Sequence, residues 1–268
     1  MIVTVDATVD RMIVLWVKSC FAMEADRSLV PVLIIGGWSP GPLMYLKRGL
    51  RRQCIFLEPS VPMPPVGCSW CIDKHMLALL CVLAFMSWSC HDMGGRIDRK
   101  WLLFLTRVGI VAVSLVVIRF LVAGIVRSSV QKGVQIAHQC LQRHRNVAVI
   151  IGFSWGGGVV AEMLRQGLVG NEGQPPALLI APTTALMAST ALQRDPALEI
   201  RVQDPTRVHV FHGTEDGAFC PHAERWEQTN ATVHWCHDNH VFMQRNSLQE
   251  LARTLLELLS RSQVGTSP

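Results

Sequence analysis

Short apolar runs alternate with polar segments along most of the chain. Six of these runs are rich in β-branched and other apolar residues, a composition typical of strands buried in a sheet. They cover residues 31–35, 53–58, 147–151, 177–181, 207–213 and 231–236. Residues 129–144 instead repeat their apolar positions at helical spacing, with Val130, Val134, Ala137 and Leu141 on one face. This pattern predicts strands that alternate with packed helices.

One region departs from this pattern because it is far more apolar. Residues 76–88 are nearly all apolar, residues 91–100 form a polar spacer, and residues 101–126 form a second apolar run. A membrane-spanning helix needs about 20 apolar residues, so the second run is long enough and the first is marginal. The two runs predict an inserted helical hairpin over residues 76–126 that acts as a membrane anchor or a lid. A buried hairpin and an amphipathic surface element remain open alternatives.

Composition fits a single folded domain with an unusually apolar part. The 268 residues are enough for one α/β domain, 1–268, with a substantial core. Half of the residues are hydrophobic, 17% are charged, and the mean hydropathy of +0.29 is high for a soluble enzyme. This excess favours membrane association, although Arg107 and Arg119 would each cost about 2.5–3.5 kcal/mol at the centre of a bilayer. The net charge of +5 lacks the clustered basic and aromatic pattern of a nucleic-acid binder, so no nucleic-acid partner is expected.

The cysteines favour a reduced, intracellular compartment. There are nine of them, an odd number, and no secretory signal is recognised at the N-terminus. Cys68 and Cys71 form a C-x-x-C pair, but the chain has no second pair, so two buried or lipid-facing thiols are favoured over a zinc site. We therefore expect neither a metal nor a cofactor.

The segment from Gly152 to Gly156 reads Gly-Phe-Ser-Trp-Gly, a G-x-S-x-G motif. A serine hydroxyl is a useful nucleophile when its oxygen is exposed on a sharp turn and a base can take its proton. Such a strand-to-helix turn brings backbone close to backbone, which requires small residues around the serine. The buried strand before the motif and the helical pattern after it, ending near Gly167, supply this context. They identify Ser154 as the candidate nucleophile rather than an incidental residue of a glycine-rich turn.

An acid and a base follow Ser154 in the chain. Asp216 comes just after the predicted strand over residues 207–213, and Glu215 is its nearest rival. His240 follows the last predicted strand and precedes an apolar helix start, which favours it over the alternatives. Those alternatives are His234, which reads as a packing residue within the strand, and His237. The proposed roles are proton removal by the histidine and orientation of its ring by the aspartate.

A second glycine turn offers hydrogen-bond donors for an oxyanion. The strand over residues 31–35 ends in Gly36-Gly37-Trp38. Two fixed backbone N–H groups next to a developing oxyanion can lower a reaction barrier by several kcal/mol. The candidate donors are the amides of Trp38 and of Trp155, the residue after the serine. A simple glycine turn is the alternative.

Together these segments resemble the α/β-hydrolase superfamily. The matching segments are residues 34–38, 152–156, 210–216 and 238–242. The order serine, aspartate, histidine is that of the superfamily. Members commonly carry His-Gly where this chain has Gly36-Gly37, a departure that keeps the backbone donor. The resemblance implies a mainly parallel sheet flanked by helices and a serine hydrolase of the esterase, lipase or thioesterase type that acts without a cofactor.

The position of the apolar insert indicates which class of substrate to expect. The apolar region follows the strand over residues 53–58. In open parallel sheets, the carboxyl ends of the strands carry the active site. We therefore expect the two helices of the hairpin, residues 77–88 and 102–126, on the side of the sheet that carries Ser154. A lipophilic carboxylic ester or thioester is the expected substrate. A membrane-associated hydrolase-like protein that binds without catalysis is the alternative.

Overall fold

The computed structural model describes residues 29–63 and 99–264. Four segments of the sequence lie outside these residues. They are the apolar runs 1–5 and 12–17, whose composition suits leading strands, the first apolar run 76–88, and the C-x-x-C pair at Cys68 and Cys71.

A parallel sheet forms the centre of the described part. Its strands, in chain order, are β1 (Val30–Ile35), β2 (Cys54–Leu57), β3 (Val149–Phe153), β4 (Ala177–Ile180), β5 (Val208–Gly213) and β6 (Thr232–Cys236). All neighbours pair in parallel in the order β2-β1-β3-β4-β5-β6. Each of the six runs singled out by composition overlaps one of these strands. The predicted fold class, an α/β protein with a parallel sheet flanked by helices, is therefore confirmed.

Helices connect successive strands because parallel strands need long crossover connections. They are α1 (Leu43–Leu50), α2 (Arg99–Arg143), α3 (Trp155–Arg165), α4 (Thr184–Ala191) and α5 (Arg245–Val264), with short 3₁₀ helices at Pro196–Leu198, Pro205–Arg207 and Ala223–Thr229. β3, β4 and β5 are buried along their whole length, as expected for strands covered on both faces. One core cluster joins one face of the sheet to α1 and α5, with Phe153, Phe211 and Phe242 among its fully buried members.

The apolar run 101–126 and the predicted helix 129–144 are one continuous helix. α2 extends over 45 residues, whereas the sequence predicted two separate elements. The expected break falls at Val126-Arg127-Ser128-Ser129, which contains neither glycine nor proline. Nothing there removes a backbone hydrogen bond or favours another backbone conformation, so the helix continues. Of the predicted hairpin, only this second arm lies within the described residues.

The described residues divide into two compact units, and the division falls within α2. The first unit comprises residues 29–63, 129–189 and 193–264 and contains the sheet. The second comprises residues 99–128 of α2 together with residues 190–192. The assignment of one domain with an insert over residues 76–126, and the placement of that insert beside Ser154, stay predictions.

Within the second unit, two arginines of α2 bind the end of α4. Arg119 donates from Nη1 to the carbonyl oxygen of Thr190 at 2.5 Å, and Arg127 donates from Nε to that of Ala191 at 2.8 Å. The last carbonyls of a helix lack intrahelical partners and carry the negative end of the helix dipole, so cations bind well there. Arg119 is only 4% exposed.

The remaining surface of this part of α2 is apolar and exposed. Its large exposed apolar residues are Val111, Val113, Val116, Val117, Ile118, Phe120, Leu121 and Ile125. We call these eight residues the apolar face. The helix segment Val111–Arg143 is long and apolar enough to cross a membrane by length and composition, and 17% of its most apolar window is buried.

His212 is a buried group with a direct effect on stability. It lies on β5, is 1% exposed, and neither of its ring nitrogens has a hydrogen-bond partner among the described residues. Burial lowers the pKa of His212 to about 4, because the charged ring would lose its hydration. Between that value and the ordinary pKa of about 6.5, the unfolded chain binds more protons than the folded one.

We therefore expect the protein to lose stability as the pH falls through this window. Between pH 7 and pH 5, His212 should lower the free energy of unfolding by about 2 kcal/mol. The measurement is urea unfolding at both pH values for the wild type and His212→Leu. The variant should be less sensitive to acid, with a remainder from His209, whose pKa burial also lowers. His237→Leu, at an exposed site, is the control and should keep the full loss. Equal acid sensitivity of all three proteins would contradict the assignment.

Candidate active site

The candidate site lies where the chain changes direction across the sheet. From β1 the chain moves outward to β2 and then returns to form β3 on the other side of β1. In open parallel sheets, ligands bind at the carboxyl ends of the two strands that flank such a switch point. The segment Gly36-Gly37-Trp38 follows β1, and Ser154 follows β3. The two candidate turns therefore flank the same crevice.

Ser154 occupies a strained turn between β3 and α3. Its φ is 54° and its ψ is −118°, a conformation that costs a non-glycine residue free energy. The neighbouring glycines leave room for it. A Cβ on Gly152 would lie 2.7 Å from the carbonyl oxygen of Gly156, and a Cβ on Gly37 would lie 2.6 Å from the Cβ of Ser154. The G-x-S-x-G spacing thus matches an actual packing requirement.

The structure brings Ser154, His240 and Asp216 into one line of hydrogen bonds. Ser154 Oγ lies 2.8 Å from His240 Nε2, and His240 Nδ1 lies 2.7 Å from Asp216 Oδ2. An ionised carboxylate only accepts hydrogen bonds, so Nδ1 carries the ring proton and donates it. Nε2 of the neutral ring is then free to accept from the serine hydroxyl. Ser154 and Asp216 are 2% and 3% exposed, so these bonds are shielded from water.

The three rivals from the sequence lie elsewhere. His237 and Glu215 face each other at 3.5 Å with most of the His237 side chain exposed. His234 stacks on Phe211, with ring centroids 4.2 Å apart, and its Nδ1 lies 2.8 Å from Glu250 Oε1. His234 is thus part of the packing between β6 and α5.

Asp238 joins the loops that carry the acid and the base, and the sequence did not single it out. It is 1% exposed, and its carboxylate accepts from the backbone N–H groups of Asn239 and Gln244, both at 2.8 Å. Its own carbonyl oxygen accepts from Glu215 N at 3.0 Å. The loop of His240 is thereby bonded to the loop of Asp216. In the sequence, the signal available for Asp238 was its position just after a strand, where an aspartate side chain favours turns.

Two further residues missed by the sequence reading surround His240. The Phe219 ring stacks on the imidazole with centroids 4.6 Å apart and is 47% exposed. Cys220 Sγ lies 4.0 Å from His240 Nδ1 and donates to the carbonyl oxygen of Pro182 at 3.5 Å. Burial, with a smaller contribution from Asp216, raises the pKa of the Cys220 thiol well above its ordinary value. Both residues lie on the turn that follows Asp216, which was their only signal in the sequence.

One group of side chains in this site has the composition of a metal-binding set. The ligand atoms of Asp216, Cys220 and His240 all lie within 4.8 Å of one another. Two of these residues also form the hydrogen-bond line to Ser154.

The two residues with the candidate oxyanion donors are both near Ser154, since Trp155 follows it in the chain and Trp38 follows Gly37. α3 begins at Trp155, so its first amide has no acceptor within the helix. The rings of Trp38 and Trp155 lie 5.6 Å apart between centroids, with Trp155 fully buried and Trp38 43% exposed. The close approach of Gly37 to Ser154 places the Trp38 segment next to the serine.

Comparisons with known proteins add little to this description. No family model matches the chain, and no curated protein matches it. Among solved structures, the chain is similar to the crystal structure of TT1662 from Thermus thermophilus, with 12% sequence identity and a TM-score of 0.48. The similarity covers 88% of this chain and 91% of that one.

The close approach at Gly37 gives a sharp test of the site's packing. Gly37→Ala should lower the free energy of unfolding by about 1–3 kcal/mol, because the added methyl group overlaps Ser154. Gly36→Ala is the matched control, since its Cβ would meet only Leu43 at an ordinary 3.9 Å. Denaturant unfolding of both variants makes the comparison. If Gly37→Ala is as stable as Gly36→Ala, the two turns do not pack as described.

Proposed function

We propose that this protein is a serine hydrolase that cleaves a carboxylic ester or thioester through an acyl-enzyme on Ser154. The observation that carries the proposal is the hydrogen-bond line from Ser154 through His240 to Asp216, formed at a strained strand-to-helix turn. The serine oxygen, a base within hydrogen-bond reach and a group that orients the base are the parts that this chemistry requires. The reaction requires no cofactor.

Each residue has a defined part in the proposed reaction. Ser154 Oγ attacks the acyl carbon while its proton passes to His240 Nε2. The resulting imidazolium is stabilised by Asp216 and then protonates the departing alcohol or thiol. A water molecule, deprotonated by the same histidine, next attacks the acyl-enzyme, and the acid is released as the imidazolium returns the proton to Ser154 Oγ. Asp216 keeps the ring in the tautomer whose Nε2 accepts a proton.

The tetrahedral intermediates carry negative charge on the former carbonyl oxygen. We assign its stabilisation to the backbone amides of Trp155 and Trp38. The Trp155 amide is at the positive end of the α3 dipole, which adds to its hydrogen bond. The closeness of Gly37 to Ser154 supports the second donor.

A lipophilic substrate and membrane association are the second part of the proposal. The apolar face of α2 exposes eight large apolar side chains within fifteen positions, from Val111 to Ile125. An apolar surface of this kind drives association when it faces water. A lipid bilayer would remove it from water and would also supply ester substrates with long acyl chains.

The bonds to α4 favour contact with the membrane through one face of α2. Arg119 and Arg127 are eight residues apart, so they lie on the same side of the helix. Their acceptors, the carbonyl groups of Thr190 and Ala191, lie on that side, and the two guanidinium groups would be costly inside the hydrocarbon of a bilayer. We therefore propose that residues 111–125 of α2 lie in the membrane surface, with the apolar face in the lipid, rather than crossing it.

A non-catalytic binding protein of the same fold is the competing function. It would keep the sheet and the apolar face but would have no activated serine. Reaction with a fluorophosphonate separates the two possibilities, because that reagent modifies serines that a nearby base has activated.

We expect a fluorophosphonate probe to label the wild-type protein at Ser154. Ser154→Ala should abolish labelling, and Asp216→Asn should slow it by about 100-fold or more because the ring loses its orientation. Ser260→Ala, in the exposed part of α5, is the control and should label normally. Labelling is followed by gel fluorescence and the site by mass spectrometry. An unlabelled wild type, folded by circular dichroism, would support the binding protein instead.

The membrane proposal predicts an effect of charge on the apolar face. The double variant Phe120→Glu, Leu121→Glu should lose most of its cosedimentation with phosphatidylcholine–phosphatidylserine vesicles, because both side chains are over 60% exposed. Gln131→Glu with Gln135→Glu, on the exposed polar part of the same helix, adds the same charge and should bind normally.

The same pair of variants tests substrate delivery. The apolar-face variant should hydrolyse a short, soluble ester as the wild type does but should lose activity on long-chain esters in vesicles. Equal binding by the two double variants would remove the apolar face from membrane contact, whatever their activities.

A further inference from the structure

Three side chains of types that bind metals lie close together, and one of them is the candidate base His240. Asp216, Cys220 and His240 offer a carboxylate, a thiol and an imidazole whose ligand atoms all lie within 4.8 Å of one another. His240 Nδ1 lies 2.7 Å from Asp216 Oδ2 and 4.0 Å from Cys220 Sγ. The proposed reaction uses the first of these contacts. It has no use for a thiol at this position.

A buried oxygen without a partner points to the same place. By distance and angle, Asp216 Oδ1 has no hydrogen-bond partner among the described residues, and the residue is 3% exposed. The Cys220 thiol interacts with this carboxylate, which helps to raise the pKa of the thiol. Leaving a carboxylate oxygen buried and unpaired is costly, so a ligand that satisfies it would be bound favourably. A cation is the ligand that a carboxylate attracts most strongly.

The donor set and its spacing suit Zn²⁺. Zinc accepts sulfur, nitrogen and oxygen ligands at about 2.0–2.3 Å in a tetrahedron, which separates neighbouring ligand atoms by roughly 3.3–3.8 Å. The two distances here, 2.7 and 4.0 Å, lie on either side of that range. Shifts of less than about 1 Å would complete three ligands. A water molecule would provide the fourth.

We propose that Asp216, Cys220 and His240 form an inhibitory zinc site, an inference that rests on the proposed function for its effect on activity. Zinc binds the thiolate of Cys220, the Nδ1 lone pair of His240 and the carboxylate of Asp216. The thiol proton passes to solvent, and the imidazole, which stays neutral, carries its single hydrogen on Nε2. That nitrogen then donates a hydrogen bond and has no lone pair to accept the Ser154 proton. Binding therefore blocks the base without touching the nucleophile.

Entry of the ion requires a small movement. The His240 side chain is 15% exposed, whereas Asp216 and Cys220 are buried. The partly exposed Phe219 ring covers the imidazole. Zinc inhibition should consequently develop slowly, and Phe219→Ala should accelerate its onset without changing the final extent by more than a few-fold.

The first test measures metal binding without activity. Co²⁺ is titrated into full-length Ser154→Ala protein that also carries Cys68→Ala and Cys71→Ala, so that the C-x-x-C pair cannot contribute. A thiolate-to-cobalt charge-transfer band in the near ultraviolet is expected at one ion per chain. The band should disappear in the same protein with Cys220→Ala and persist with Cys236→Ala, which removes another buried thiol. A band that survives Cys220→Ala would overturn the site.

The second test measures the consequence for Ser154. In the Cys68→Ala, Cys71→Ala protein, low micromolar Zn²⁺ should suppress fluorophosphonate labelling, and a chelator should restore it. Cys220→Ala should raise the zinc concentration for half-suppression at least tenfold. Cys220→Ser, which keeps the size of the side chain, should do the same if the alanine variant folds poorly. Equal zinc sensitivity with and without Cys220 would refute the proposal. A protein that never labels, yet shows the cobalt band, would refute the proposed function and leave the metal site standing.

Discussion

The site depends on how closely the turn after β1 approaches the turn after β3. Ser154 holds a positive φ that its side chain disfavours, and the surrounding backbone must therefore over-determine it. Gly37 and Gly152 allow this because neither carries a Cβ where Ser154 and Gly156 lie. The strained turn directly follows β3, a parallel strand that is buried along its whole length. A serine held this way keeps its hydroxyl aimed at His240 before any substrate arrives.

Much of this arrangement could be predicted from sequence because it depends on local chemistry. The strands were recognisable as apolar runs, and Ser154, Asp216 and His240 each follow a strand whose carboxyl end meets the others at one edge of the sheet. What the sequence could not supply were partners distant along the chain. Asp238 and Cys220 carry no local pattern that distinguishes them from ordinary turn and core residues. Their relation to His240 arises only from the folded loops.

The continuity of α2 shows a different limit of sequence reading. The apolar and polar halves of α2 differ so much in composition that they suggest two separate elements. Helix formation, however, depends on backbone hydrogen bonding and does not require uniform surroundings along the helix. Arg119 illustrates the same point. In the sequence it counts as a charge that opposes membrane contact, whereas in the fold it binds the end of α4 and does not interrupt the apolar face. The structural role of Arg119 therefore depends on a partner 71 positions away in the chain.

The buried polar groups behind Ser154 hold the hydrogen-bond line in place, but their burial costs free energy. Burial of the Asp216 carboxylate strengthens its bond to His240, but among the described residues it also leaves Oδ1 without a hydrogen-bond partner. A buried unpaired oxygen costs about 1–3 kcal/mol, and within the same part of the chain both ring nitrogens of His212 are unpaired too. A core optimised for stability alone would replace these groups with apolar ones. Both groups lie at the carboxyl end of β5 or just after it, at the edge of the sheet that carries Ser154, and the proposed site would require a cost in stability of this kind there.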